Sequence, residues 1–397
     1  MNTQINRRNL IKRGFLTIGG LAAAPHLMAG AFGNLPLQVD SKNRVVYSPM
    51  MREHLSVSNE PVKSKSIAKL NANENPYGPP KSAAKAVVDS VNGGSRYAWR
   101  ELYTLIDGIA KKEGLTSENI MMGPGSSDLL EKVAIVLFQN GGNVVSADPC
   151  YMSLVRVAQA TGATWKAVPC KDDWSHDLKA MEEAIDDETK LVYICNPNNP
   201  TGAVTSGKEL MDFCSRVSER VPIFVDEAYL ELVEGDVTES MVSLVAKNKN
   251  VIVARTFSKI MGMAGLRIGY IAATTDFLAI IQKITRGGMG ISLTSVHAAI
   301  AAIEDTDFQA MTKKLNTEAK EYVYGELKKM GYTYIPSYTN FMIFPINMDG
   351  KEFLEKMSGQ GVMVRAFDIQ DKTWCRVSLG TMDEMKMFTS ALSSISS

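Results

Sequence analysis

Between about residue 95 and residue 300 the chain alternates short apolar runs with longer amphipathic stretches, and this rhythm constrains the fold more than any other feature. Ile120-Met121-Met122, Gly142 to Ser146, Lys190 to Ile194, Ile223 to Val225, Val251 to Ala254 and Ile268 to Ala272 read as strands, several of them rich in β-branched residues. Ser127 to Gln139 and Gly207 to Arg220 have helical spacing. Strands that alternate with helices predict an α/β fold whose largely parallel sheet is covered on both faces. The rhythm then changes. A charged helix from Asp307 to Met330 is expected, followed by strands at Tyr332 to Ile335 and Phe341 to Phe344, a helix near Gly350 to Ser358 and a strand near Trp374 to Ser378. We therefore divide the chain into a large α/β domain (67–305), whose first segment also contributes to the smaller domain, and an α+β C-terminal domain (306–397).

The first 66 residues read differently. Asn6-Arg7-Arg8-Asn9-Leu10-Ile11-Lys12 resembles a twin-arginine export motif; an apolar stretch from Gly14 to Ala24 and then Ala29-Gly30-Ala31 follow it. This is a basic region, a short apolar region and a small-residue cleavage site in order, and the apolar part is too short to span a bilayer. Residues 1–31 are thus expected to be a signal peptide. The folded protein would pass through the twin-arginine translocase to the bacterial periplasm, with no stable membrane association after cleavage. Removing Arg7, Arg8, Lys12 and Arg13 with no acidic residue leaves a mildly acidic chain. Residues 32–66 are polar and patternless and read as a linker or N-terminal arm. Lys+Arg and Asp+Glu both number 43 in the 397 residues, so no net field points to nucleic acid. The five cysteines show no C-x-x-C, the four histidines are scattered, and no metal site is expected. Cys195, inside an apolar run, reads as a buried structural thiol.

Four separated segments carry chemistry. Lys259 follows a strand and Ser258, with Arg267 eight residues on. A lysine that forms a Schiff base needs a fixed position and a lowered pKa, which nearby positive charge provides, and Ser258 and Arg267 suit a phosphate. Asp226 ends an apolar strand, where ligands of open α/β sheets bind. There it can pair with the pyridine nitrogen of pyridoxal phosphate (PLP), and Tyr229 can reach the phenolate oxygen. Asn199 lies in Asn196-Pro197-Asn198-Asn199-Pro200-Thr201-Gly202, which reads either as a turn or as a second donor to that oxygen. Gly123-Pro124-Gly125-Ser126-Ser127 stands between a strand and a helix and suits a phosphate.

In order and spacing these segments resemble the fold-type I PLP enzymes, and among them the histidinol-phosphate aminotransferase group. The resemblance runs from about residue 67 to 385. It includes Leu70-Asn71-Ala72-Asn73-Glu74-Asn75-Pro76, Arg96-Tyr97, the Lys259 segment with its Ala264-Gly265-Leu266-Arg267 tail, and Arg376 to Thr381. It implies an aspartate aminotransferase-like fold with a mostly parallel sheet of the seven-stranded type, PLP as cofactor, and a homodimer with shared active sites. Lys259, Asp226 and Tyr229 match catalytic positions; Tyr151 matches the residue that stacks on the ring; Ser126, Ser127, Ser258 and Arg267 match the phosphate cup. Tyr97 matches a tyrosine that reaches the neighbouring subunit's phosphate. Arg376 and Arg365 match substrate-side positions, Arg376 for an acid group, and Asn75 stands at a substrate-side position where some relatives carry an aromatic residue. Ala98 and the glycine-rich Arg286 to Ser292 depart from the family pattern near the expected substrate side. The expected reaction is amino transfer between an amino acid and a 2-oxo acid. A PLP lyase, decarboxylase or racemase would use the same cofactor motifs, and a non-catalytic binding protein on this fold is the remaining alternative.

Overall fold

The structure is a computed structural model that describes residues 38–55 and 67–396; the expected signal peptide and parts of the expected linker lie outside the described residues. In chain order the strands are β1 (Gln38–Val39), β2 (Arg44–Val46), β3 (Met51–His54), β4 (Ala68–Lys69), β5 (Ile120–Gly123), β6 (Asn143–Asp148), β7 (Thr164–Pro169), β8 (Thr189–Cys195), β9 (Ile223–Asp226), β10 (Val251–Thr256), β11 (Gly269–Ala272), β12 (Phe341–Ile346), β13 (Val362–Met363), β14 (Arg365–Ile369) and β15 (Lys372–Ser378).

The large sheet has seven strands in the order β5-β11-β10-β9-β8-β6-β7. Strands β10, β9, β8, β6 and β7 run parallel, and β11 pairs antiparallel with both β10 and β5. Helices cover both faces, so the central strands are apolar on both sides: Leu191, Val192, Tyr193 and Ile194 are all fully buried. Each fully buried aliphatic side chain of this kind contributes about 1.5–3 kcal/mol. Because these strands are parallel, their carboxyl ends share one edge, and the chain leaves that edge at Asp148, Cys195, Asp226 and Thr256. The loops that follow these residues carry the candidate chemistry.

The second sheet, β1-β2-β3-β14-β15-β12, is antiparallel throughout. It corrects two sequence expectations. Residues 38–54 are three strands, not a featureless linker, and β3 pairs with β14 of the C-terminal domain. The polar side chains that hid them have partners: Arg44 pairs with Asp40 nearby and with Asp368 of β14, and His54 Nε2 lies 2.9 Å from Asp368. Tyr332 to Ile335 is not a strand. The Tyr334 ring stacks on Tyr324 at 4.0 Å, and only Ile335 bonds toward β12, through its N–H to Ile343 O. The long helix runs Thr306–Lys329, capped by Asp305, whose side chain accepts from Phe308 N. No described helix is long and apolar enough to cross a membrane.

Candidate active site

The loops at the carboxyl edge enclose a cleft of about 420 Å³, within the size range of small-molecule sites. It is lined by Ser126, Ser127, Tyr151, Asn199, Asp226, Tyr229, Ser258, Lys259, Arg267, Arg365 and Arg376, among others. Eleven of the thirteen sequence-derived candidates therefore converge there. Two do not. Asn75 does not line the cleft; its side-chain amide donates to Ile260 O at 2.9 Å and holds the turn that bears the lysine. Tyr97 is exposed beside Trp99 and lines a separate cavity of about 430 Å³ against the glycine-rich segment at Gly288 to Gly290.

Lys259 follows β10. Its Nζ donates to Asn73 O at 3.0 Å and lies 5.4 Å from the Tyr229 ring centre. Burial, aided by the positive charge of Arg376, pulls the Lys259 amine down to about 8. The amine is thereby a usable nucleophile and base near neutral pH. Asp226, the last residue of β9, accepts from Ala228 N at 3.2 Å and from Tyr193 OH at 3.4 Å. Burial still dominates and pushes its carboxyl up to about 6. A carboxylate desolvated to this degree favours a cationic partner.

Tyr229 OH accepts from Asn73 Nδ2 at 3.2 Å, and burial pushes its phenol up. Asn199 Oδ1 accepts from Arg376 at 2.9 Å. That bond orients the amide so that its Nδ2, a donor, is left for a ligand. Arg376 also donates to Asn71 O, and its Nε is buried without a partner. Burial, with the like charge of Arg365 nearby, lowers its guanidinium to about 10.

The anion cup forms at the start of helix Ser126–Phe138. Ser127 Oγ and Tyr151 OH lie 3.2 Å apart, and Thr256 Oγ1 donates to Ser258 Oγ at 3.0 Å. Arg267 is held by donating to Ala264 O at 3.0 Å. Gly125 has φ +90, and a Cβ there would run into the Arg267 guanidinium, so only glycine lets the loop approach the arginine so closely.

Sequence reasoning gave no role to four residues at the site: Asn73, Tyr193, Thr256 and Glu53. Asn73 stood in a quoted motif, and its φ of +53 is visible only in the fold. Tyr193 was hidden inside an apolar run. Glu53 lies in the hairpin read as linker, and its carboxylate accepts from Arg365 Nε and Nη2 at 2.5 Å each. Arg365 therefore reaches the cleft with its charge already paired. Cys195 lines the cleft, but burial pushes its thiol far up, as suits an unreactive structural cysteine.

The sequence profile of the family described as aminotransferase class I and II matches residues 65–392. This chain belongs to that family. Among relatives of this aminotransferase, the histidinol-phosphate aminotransferase of Moorella thermoacetica is 34% identical over 333 residues, covering 83% of this chain and 86% of its own. The crystal structure of the histidinol-phosphate aminotransferase of Sinorhizobium meliloti in complex with pyridoxal-5'-phosphate superposes with a TM-score of 0.78 at 29% identity, covering 84% of this chain and 92% of that one. The aspartate aminotransferase of Thermotoga maritima shares the fold, with a TM-score of 0.74 at 22% identity over 83% of this chain and 92% of its own.

Proposed function

We propose that this chain is a PLP-dependent transaminase that moves an amino group between an amino acid, or a related amine, and a 2-oxo acid, with Lys259 holding the cofactor. One observation carries the reading: a lysine amine lowered to about 8 shares a cleft with a buried aspartate raised to about 6 and with a built anion cup. The donor set fits PLP group by group. Asp226 suits the pyridine nitrogen, and Tyr229 OH and Asn199 Nδ2 suit the phenolate oxygen. Tyr151 suits the ring face. Ser126, Ser127, Ser258 and Arg267 suit the phosphate.

Bound PLP supplies an electron sink that stabilises negative charge at the substrate α-carbon. The residues do the rest. Lys259 Nζ takes the proton from the α-carbon and returns it during transfer. Asn73 O gives that amine a fixed acceptor at 3.0 Å, which restricts its position in the cleft. Asp226, still ionised at neutral pH, would pair with the protonated pyridine nitrogen of the bound cofactor. Arg376, oriented by Asn199 and Asn71, receives the substrate carboxylate with a planar donor fork.

The exposed Tyr97, set apart from its own chain's cleft, supports a homodimer in which it reaches the partner's phosphate cup. The Arg7-Arg8 segment supports export of the folded enzyme to the periplasm. Replacing both arginines with lysine should leave the enzyme in the cytoplasmic fraction.

The reading is tested by the absorption spectrum of the purified protein titrated with amino donors, including histidinol phosphate, which the relatives' names give as their substrate. We expect a visible band that Lys259→Ala abolishes, that one donor bleaches and that a 2-oxo acid restores. A band that no donor bleaches would move the decarboxylase, lyase or racemase chemistry ahead. No band after adding PLP would overturn the enzyme assignment.

A further inference from the structure

The β1–β3 hairpin precedes residues 65–392, the part of the chain that the family profile matches, so membership does not account for its chemistry. The hairpin does not stand apart from the site. Its turn is tied to the loop before Tyr151, where Ser48 Oγ donates to Asp148 Oδ1 at 2.6 Å. Its Glu53 accepts from Arg365 and also from Tyr47 OH at 2.5 Å. Between the hairpin and helix Ser153–Ala160 lies a second cavity of about 370 Å³. It shares Tyr151, Asn199, Arg365 and Arg376 with the Lys259 cleft, so the two adjoin.

Arg156 projects from that helix into this cavity. Its guanidinium carbon lies 4.1 Å from the centre of the Tyr47 ring, a cation–π platform that fixes its plane. Its Nε and one terminal nitrogen are buried without a partner, and no described carboxylate forms an ion pair with it. Burial lowers its guanidinium below the ordinary arginine value. Glu53 holds Arg365, and Glu131, the acid that lines the cavity, accepts from Ser153 Oγ at 3.1 Å. Two guanidiniums, Arg156 and Arg376, thus line this cavity without an ion pair to any described carboxylate. A buried cation with open donors is unfavourable unless an anion arrives to meet it. Under the transaminase reading, Arg376 meets the substrate's α-carboxylate. Arg156 calls for a second anion, farther along the substrate.

We propose that Arg156, seated on Tyr47, binds an acid group at the far end of the donor's side chain, and so selects amino acids with a distal carboxylate or phosphate. The inference rests on the transaminase reading. Glu53 has a supporting part: it is tied directly to Arg365, whereas toward Arg156 its charge acts only at longer range. The hairpin therefore sets which anion position is read.

The test uses the full-length enzyme with PLP and follows bleaching of its visible band in single turnovers. The donors are L-glutamate and L-aspartate, O-phospho-L-serine, and the neutral L-glutamine, L-asparagine and L-serine. Arg156→Gln should lower the ratio of acidic to neutral kcat/KM by roughly tenfold to a hundredfold, the range for losing a hydrogen bond to a charged group. The loss should appear mainly in KM, and Arg156→Lys should restore part of it. Whichever acidic donor loses most identifies the anion as carboxylate or phosphate. Tyr47→Leu, which removes the platform without changing charge, should lower the same ratio by less, and it serves as the test should Arg156→Gln fail to fold. An acidic-to-neutral ratio unchanged in these variants would overturn the role of Arg156 while leaving the transaminase reading intact. A wild-type enzyme that converts no amino donor would overturn both.

Discussion

Asp226→Asn should separate stability from function. The carboxyl is pushed from its ordinary 3.8 up to about 6 because burial outweighs its bonds to Ala228 and Tyr193. With a folded-state value above the unfolded one, the native state holds the proton more tightly, so stability is lost as pH rises from about 4 to 6 and the penalty is complete above that. The rise corresponds to about 3 kcal/mol at neutral pH, of which roughly half has developed by pH 5. Asparagine carries no such penalty and can still accept from Ala228 N. In urea unfolding of protein freed of cofactor, the variant should therefore be more stable than wild type by up to about 3 kcal/mol at pH 8, and by about half that at pH 5. With PLP, removing the only charge proposed to face the pyridine nitrogen should slow turnover by roughly a hundredfold or more, as expected when one member of a buried pair is removed. A variant less stable than wild type at pH 8, or a difference independent of pH, would refute the argument that burial dominates at Asp226.

Two further outcomes follow from the same cleft. With the Lys259 amine at about 8, the rate at which cofactor-free protein captures PLP should rise with pH and level off just above 8, whereas an ordinary lysine at 10.5 would keep accelerating; stopped-flow absorbance across pH 6.5–9.5 distinguishes the two. Gly125→Ala forces a side chain onto a positive-φ extended backbone that is essentially reserved for glycine, at a cost of about 1–3 kcal/mol, and against Arg267. It should weaken PLP retention about tenfold or more, by dialysis, while the far-ultraviolet circular dichroism stays native.

The parts of this molecule that were legible in its sequence are those where local pattern and tertiary environment agree. Strands β8, β9 and β10 are buried on both faces, so they had to be continuous apolar runs, and the chemistry follows directly after them because parallel strands present their carboxyl ends together. Lys259, Asp226 and Asn199 were readable as positions on that edge before any side chain could be placed. The illegible parts depend on distant partners. Arg44 and His54 make β2 and β3 look like solvent-facing linker, and only pairing with Asp368, more than three hundred residues away, turns those polar side chains into sheet residues. The same holds for the arginines. Arg365 and Arg376 look equivalent in sequence as substrate ligands, yet Glu53 on that unseen hairpin engages one and leaves the other open. A motif can place a cation near a substrate. Whether the cation is free to bind depends on its counter-charge, and here the counter-charge comes from a segment that local pattern could not assign.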